Sequence, residues 1–232
     1  MEKKWPVLVG AISFLLGCFV LSFGLKGIGA NPRTVSVRGL AEREVDADMA
    51  VWKLSFSVGG NDLIALKQEV LEQTKIVEAF LKEHGLEESD YSILAPEITD
   101  SSMNPYQDAS RKVVYQYISK NSILVRSSKV NAVKNASSDT LELIGKGVSV
   151  SNNYDNNVNY EFNGLNEIKP EMIALATENA RLAAEQFARD SGSKVGKIMN
   201  ATQGLFSIEN AAIGLEEKKN VRVVTTVVYS LD

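Results

Sequence analysis

Pro170-Glu171-Met172-Ile173-Ala174-Leu175-Ala176-Thr177-Glu178-Asn179-Ala180-Arg181-Leu182-Ala183-Ala184-Glu185-Gln186-Phe187-Ala188-Arg189-Asp190 reads as the best helix of this chain. Proline suits a first helical position and Glu171 suits the positive end of the helix dipole. Met172, Ile173, Ala176, Ala180, Ala183, Ala184 and Phe187 form a narrow stripe centred on alanine. Small side chains in that stripe let the helix sit close to a sheet. Glu178–Arg181, Arg181–Glu185 and Glu185–Arg189 are spaced for charge pairs on a solvated outer face. Gly192 ends the helix, and residues 195–208 and 221–231 follow as strands. The second of these is nearly all β-branched, which predicts a central position.

Upstream the same alternation of element types holds. Residues 34–38 alternate at period two, and residues 49–58 do so more clearly. There Trp52, Leu54, Phe56 and Val58 share one face, opposite Val51, Lys53, Ser55 and Ser57. Gly59-Gly60 ends that strand, and Asn61 or Asp62 caps a helix whose stripe is Leu63, Leu66, Val70, Val77 and Leu81. Gly85 stops it. Residues 91–98 return as a strand, and 100–111, rich in Ser, Asn and Asp, read as a loop. Residues 112–120 and 122–126 read as a tightly turned antiparallel pair. A shorter amphipathic helix is predicted over 129–144. Strands at 148–151 and 159–162 flank a turn at Asn152-Asn153-Tyr154-Asp155-Asn156-Asn157, and 209–220 is a polar loop.

The N-terminus fixes a compartment. Residues 5–25 carry no charge, and about twenty helical residues at ~1.5 Å each span a bilayer core of ~30 Å. Lys3 and Lys4 keep that end on the cytoplasmic side, which places everything after Lys26 outside the cytoplasm. Three readings compete: a retained anchor, favoured by the length of the run; a signal peptide cleaved after Ala30; and a lipoprotein, from Leu15-Leu16-Gly17-Cys18. Apolar Phe19-Val20-Leu21 argues against the last. Gly10, Gly17 and Gly24 repeat every seven residues, a spacing that fits one helix face, but glycine is common in membrane helices and the repeat needs no further reading.

Composition narrows the chemistry. Cys18, inside that segment, is the only cysteine and His84 the only histidine. An internal disulfide, the usual zinc and copper sites, and Ser-His or Cys-His pairs are therefore excluded in the exported part. His84 stands before Gly85, where it caps carbonyls at a helix end. Setting aside Glu2, Lys3, Lys4 and Lys26 leaves 28 acidic and 22 basic residues, a net charge of −6. That disfavours nucleic acid and anionic lipid surfaces as partners. The Asx cluster 152–157 lacks the spacing of a calcium loop.

These elements predict an α+β fold: a mixed, largely antiparallel sheet with two long helices and one shorter helix, preceded by an N-terminal membrane helix. Residues 1–30 form the anchor or signal peptide and 31–232 the exported domain. The order of elements resembles the SIMPL-domain (YggE-like) family of exported bacterial proteins. The residues that carry the resemblance are Thr34-Val35-Ser36-Val37 with Gly39, then Asp48 and Ala50, Pro96, Tyr117 with Leu124, and Gly145-Lys146-Gly147. Its most specific part is 174–198, the Ala-rich helix followed by Gly192-Ser193-Lys194-Val195-Gly196-Lys197-Ile198. Ala41, Ala47 and Gln116 depart from the family pattern, which bears on local turns. The resemblance covers about 34–231. It implies an envelope location, homo-oligomers that are ring- or channel-like in some members, a loose link to stress tolerance, and no catalytic, cofactor-binding or metal-binding residues.

The expected function is therefore a non-enzymatic envelope protein that self-assembles, with itself and the membrane as partners. The alternative is a monomeric periplasmic ligand-binding module, using the 100–111 loop and Tyr106, Tyr115, Tyr117, Tyr154 or Tyr160 as stacking surfaces. A hydrolase would have to rest on Glu87-Glu88 or Glu216-Glu217, adjacent carboxylates that read more simply as solvated charge.

Overall fold

The computed structural model describes Gly10 and residues 13–14, 17–19, 33–101, 114–151 and 157–232. In chain order the elements are β1 (Thr34–Asp46), β2 (Met49–Gly60), α1 (Leu63–Glu83), a 3-10 turn (Glu88–Asp90), β3 (Tyr91–Ile93), β4 (Glu97–Asp100) and β5 (Tyr117–Ser127). After these come α2 (Val130–Ser138), α3 (Leu141–Gly145), β6 (Asn159–Glu161), α4 (Leu165–Asp190), β7 (Val195–Gln203), β8 (Ser207–Asn210) and β9 (Lys218–Leu231). Two compact units result. One comprises 1–40, 175–204 and 224–232; the other comprises 41–174 and 205–223.

The larger unit is built on β2. Its period-two pattern buries Trp52, Leu54, Phe56 and Val58 as the sequence predicts. Side chains of this size contribute about 1.5–3 kcal/mol each when fully buried. β5 pairs antiparallel along the whole of β2, from Ala50↔Ser127 to Gly60↔Tyr117, and presents Ile123 and Val125 to the same core. The sheet runs β3-β5-β2-β6, with β4 also on β5.

Helix α1 supplies Leu66, Val77, Phe80 and Leu81 to that core. Asp62 caps it, accepting from the N–H groups of Ile64 and Ala65 at 2.9 and 2.8 Å. Thr74 sits among the apolar side chains because its hydroxyl donates to the Val70 carbonyl at 2.7 Å. Gly85, at φ +82°, then reverses the chain so that the Leu86 N–H reaches the Leu81 carbonyl.

The smaller unit holds the first strand of the fold and the last. Leu231 N–H donates to the Arg33 carbonyl at 2.7 Å, and β9 lies between β1 and β7 in the sheet order. The C-terminal part of α4 covers this sheet through Ala180 and Ala184, which meet Val35, Val227 and Tyr229. Gly39 on β1 sets the approach: a Cβ there would overlap the Ala176 carbonyl oxygen and the Ala180 nitrogen.

Several sequence expectations need correction. There are two antiparallel sheets, not one mixed sheet. Residues 117–127 form a single strand without a turn at Asn121. That residue is buried, its amide bonds locally to Ser119, and the alternation continues through it. The strand expected at 91–98 breaks at Leu94-Ala95-Pro96, since proline cannot donate to the ladder. The 195–208 strand breaks at Gly204, whose N–H bonds the Val224 carbonyl at 2.8 Å. The shorter helix divides at Asp139-Thr140, where the Ser137, Ser138 and Thr140 hydroxyls bond back to carbonyls.

The turn expected at 152–157 lies outside the described residues except for Asn157, and its flanking segments do not pair with each other among those residues. β6 pairs with β2 instead, and Val150 makes one bridge to Phe56. The 209–220 loop shrinks because β8 and β9 pair through Asn210↔Lys219. β1 runs to Asp46 rather than Arg38.

The Ala-rich helix begins at Leu165, so Pro170 lies inside it. The physical reason is Asp48, far away in sequence. Its carboxylate accepts from the N–H groups of Asn163 and Gly164 at 2.8 Å and from the Asn163 side-chain amide at 2.9 Å. It anchors the chain immediately before the first turn. Asp48→Ala is expected to cost about 1–2 kcal/mol, read as a lower urea midpoint with unchanged far-UV circular dichroism. The buried stripe of α4 is Met172, Ala176, Ala180, Ala184 and Ala188 at strict four-residue spacing; Ala183 and Phe187 are exposed.

Candidate functional site

In the smaller unit, α4 and β7 bound an open groove of about 620 Å³. The way α4 ends creates it. Gly192 adopts φ +68°, the Ser193 N–H bonds back to the Ala188 carbonyl at 2.8 Å, and Lys194 is turned directly into β7. β7 joins β9 irregularly, with register shifts between Val195 and Ile198 and between Ile198 and Asn200. At the irregularity the Lys197 N–H donates to the Ser230 hydroxyl at 2.9 Å. Gly196 leaves room there for the Ser230 hydroxyl and the Asp232 carboxylate, which a Cβ would displace.

The groove lining includes Tyr229, Ala188, Val195 and Ile198, with Arg189 and Lys194 among its charged groups. Further along α4, Arg181 and Glu185 form an ion pair at 3.0 Å. Arg189 gives one N–H to the Gln186 side chain at 2.7 Å. Tyr229 is 4 % exposed, and Lys194 is exposed beside Asp232, with which its backbone exchanges two hydrogen bonds of 3.1 and 2.9 Å. The sequence marks this place only indirectly, by the Gly-Ser-Lys-Val-Gly run and by one tyrosine in a strand of β-branched residues.

The residues singled out in sequence do not converge. Tyr115 lies across Gly59 with half its surface exposed, and Tyr117 accepts a hydrogen bond from the Gln116 side chain. Tyr160 is buried in the larger unit's core, where burial, reinforced by Glu217 and Glu216, raises its hydroxyl above the ordinary tyrosine range. Tyr106, Tyr154, Asp155 and most of the 100–111 loop lie outside the described residues. Glu87 pairs with Lys129 at 3.3 Å, whereas Glu88 stands apart in the 3-10 turn. Glu217 pairs with Lys134, while Glu216 accepts from the Gly214 N–H at 3.1 Å. His84 bonds the Phe80 carbonyl at 2.9 Å and meets Asp139 at 3.2 Å, as a helix-end residue. Among the described residues no three His, Cys, Asp or Glu side chains gather as metal ligands, and no helix is long and apolar enough to cross a membrane. Cys18 is exposed, and it and its described neighbours are helical; most of the anchor segment lies outside the described residues.

The titrating groups are structural. The Lys134 ammonium holds Glu217 below the usual carboxylate range. Burial works against Asp90, but the Glu87 backbone and the Ser127 and Lys129 side chains outweigh it and lower its pKa. Burial pushes Lys219 below the usual lysine range, with Asn210 as its partner at 2.5 Å. Both carboxylates bind protons more weakly folded than unfolded. Their stabilisation is complete above the ordinary carboxylate pKa and is lost as pH falls through the folded values. The urea midpoint is therefore expected to fall between about pH 5 and pH 3, and Glu217→Gln should flatten that fall.

These features define a class: an α+β protein of two antiparallel sheets, with an Ala-faced helix packed on one of them. The chain belongs to the SIMPL family, described as "Protein of unknown function (DUF541)", whose family model matches residues 35–229. No curated protein matches it significantly.

Proposed function

We propose that this protein is a non-enzymatic envelope protein that self-assembles into a homo-oligomer, ring- or channel-like, with residues 1–30 as membrane anchor or signal peptide and 31–232 outside the cytoplasm. One observation carries the reading. β7 is an edge strand whose side chains from Lys197 to Gln203 are exposed on both faces, with Ile198 and Met199 each 54 % exposed. A long edge strand left open, carrying exposed Ile198 and Met199 among polar residues, invites pairing with another chain. β1 is the opposite edge of the same sheet. Two different open edges favour head-to-tail contacts, which close into rings when the rotation allows. The resemblance to exported SIMPL-domain proteins, together with the uncharged run at residues 5–25, is what supports an envelope role linked to stress tolerance. Glu87, Glu216 and Glu217 are each tied into separate local contacts, which supports a non-catalytic reading.

Light scattering after gel filtration tests the reading, on residues 31–232 and on the full chain in detergent. A discrete oligomer is expected. Met199→Lys, on the exposed β7 edge, should reduce the mass toward a monomer without loss of circular dichroism. A strict monomer at micromolar concentration for both forms would defeat the proposal. The groove beside α4 favours a second reading, a monomeric periplasmic ligand-binding module.

A further inference from the structure

We propose that a second groove, in the larger unit, binds a primary ammonium carried on an apolar stem. This groove has a volume of about 670 Å³, within the range of small-ligand sites, and lies between the end of β2, the N-terminal half of α1 and Tyr115. Gln73 supplies the decisive observation. It lines the groove, and its side-chain oxygen is buried without a hydrogen-bond partner. The amide orientation is fixed, because its nitrogen donates to the Glu69 carboxylate at 2.8 Å. Turned over, the amide would set its oxygen against that carboxylate and leave the nitrogen without an acceptor. A buried acceptor left unmade is costly, and only a donor satisfies it.

The charges select the kind of donor. Asp62 and Glu69 line the groove, and among the described residues no cationic side chain does. Asp62 is occupied as the cap of α1 and offsets the positive end of the helix dipole. Glu69 lies beyond the turn in which that dipole acts, and it forms no ion pair among the described residues. Lys67 is two positions from Glu69 and faces another side of the helix. Lys120 stands opposite Ser57 on one side and Glu97 on the other, and it does not line the groove. An ammonium has three donors, so it meets the Glu69 carboxylate and the Gln73 oxygen together. A neutral hydroxyl has one donor and leaves the carboxylate without a counter-charge.

Tyr115 forms another wall. Its ring packs on Gly59 and is half-exposed, and the Gln116 N–H ties this segment to the Asn61 side chain at 2.8 Å. The open part of the ring suits a cation or the stem behind it. Ala65, Leu66 and Ile118 give the stem its apolar surface. All these residues belong to the larger unit of one chain, so the site stands whether or not the protein assembles.

Calorimetric titration of the full chain with hexylammonium tests the proposal, in phosphatidylcholine nanodiscs with empty nanodiscs as the blank, or in solution if the chain does not insert. Hexanol and hexanoate are the controls. Saturable binding of hexylammonium at one site per chain is expected, with hexanol about tenfold weaker and hexanoate not bound. Glu69→Gln should weaken hexylammonium about tenfold and Gln73→Leu about fivefold, as losses of a charged and a neutral hydrogen bond predict. Glu69→Gln should melt like the parent, and Gln73→Leu at or above it, since a buried oxygen without a partner is removed. Equal binding of hexanol, non-saturable uptake, or affinity unchanged in both variants would each overturn the proposal. So would binding that appears only in the double variant Arg111→Gln, Lys112→Gln, the cations nearest Tyr115 in sequence, because the occupant would then be internal. The acetylated and amidated tripeptide Ala-Lys-Ala identifies the source. Tighter binding than hexylammonium indicates the lysine side chain of a peptide, and weaker binding indicates a free amine. Either result upholds the ammonium chemistry.

Discussion

Gly39→Ala is expected to destabilise this protein by about 3 kcal/mol or more, at the upper end of what overpacking costs. The new methyl would lie inside the Ala176 carbonyl oxygen and against the nitrogen and Cβ of Ala180. Backbone cannot rotate out of the way as a flexible side chain can, so β1 and α4 must separate. Separation would open the contacts of Ala180 and Ala184 with Val35, Val227 and Tyr229. For a chain of this size the loss should lower the melting temperature by about 10 °C. Gly145→Ala is the matched control. Gly145 is helical, its φ is not positive, and nothing lies within 4 Å of the added carbon. Alanine there should leave stability unchanged or raise it by about 0.5 kcal/mol. Equal melting temperatures for the two variants would mean that the strand–helix approach does not hold this unit together.

Val227→Asp should have the larger effect. Val227 is fully buried on β9, facing the alanine stripe, with no cationic residue among its cluster partners. A carboxylate there is either buried without a partner or protonated at a penalty, and about 3–5 kcal/mol is the usual scale for an uncompensated buried charge. Circular dichroism at neutral pH should show loss of folded structure, partly recovered near pH 4 when the group becomes neutral. The contrast with Met199→Lys on β7 matters: one charge should abolish the fold and the other only the assembly. Equal loss of circular dichroism in both variants would remove that distinction.

What the sequence made legible follows from how local each signal is. The buried face of β2, the Asp62 cap and the Gly85 stop depend on residues a few positions apart, and all three are present as expected. The misread places have distant partners. Asn121 looks like a turn residue, but its alternation with Ile123 and Val125 against β2 decides that it is strand. Pro170 looks like a helix start, but Asp48 moves the start to Leu165. Ala188 replaces Ala183 and Phe187 in the buried stripe because Gly39 and β9 select which helical face is closest. The groove was illegible for the same reason. Tyr229 and Lys194 are unremarkable in sequence and acquire meaning only where the β7 bulges bring them to one wall.

The smaller unit draws its parts from both ends of the chain, with β1 beside β9 and β7 on the other side. Synthesis delivers β1 first, yet its neighbour β9 (Lys218–Leu231) is made long after it. Until then Val35 lacks Val227 and Tyr229, and Asp48 must wait through 116 positions for Gly164. Such late closure carries a loop-entropy cost and slows folding. A nascent chain therefore holds an unpaired, partly apolar ribbon for most of its production. Loss of residues 224–231 would strip that unit of its central strand, so protection of β1 during translation decides how much of this protein survives to fold.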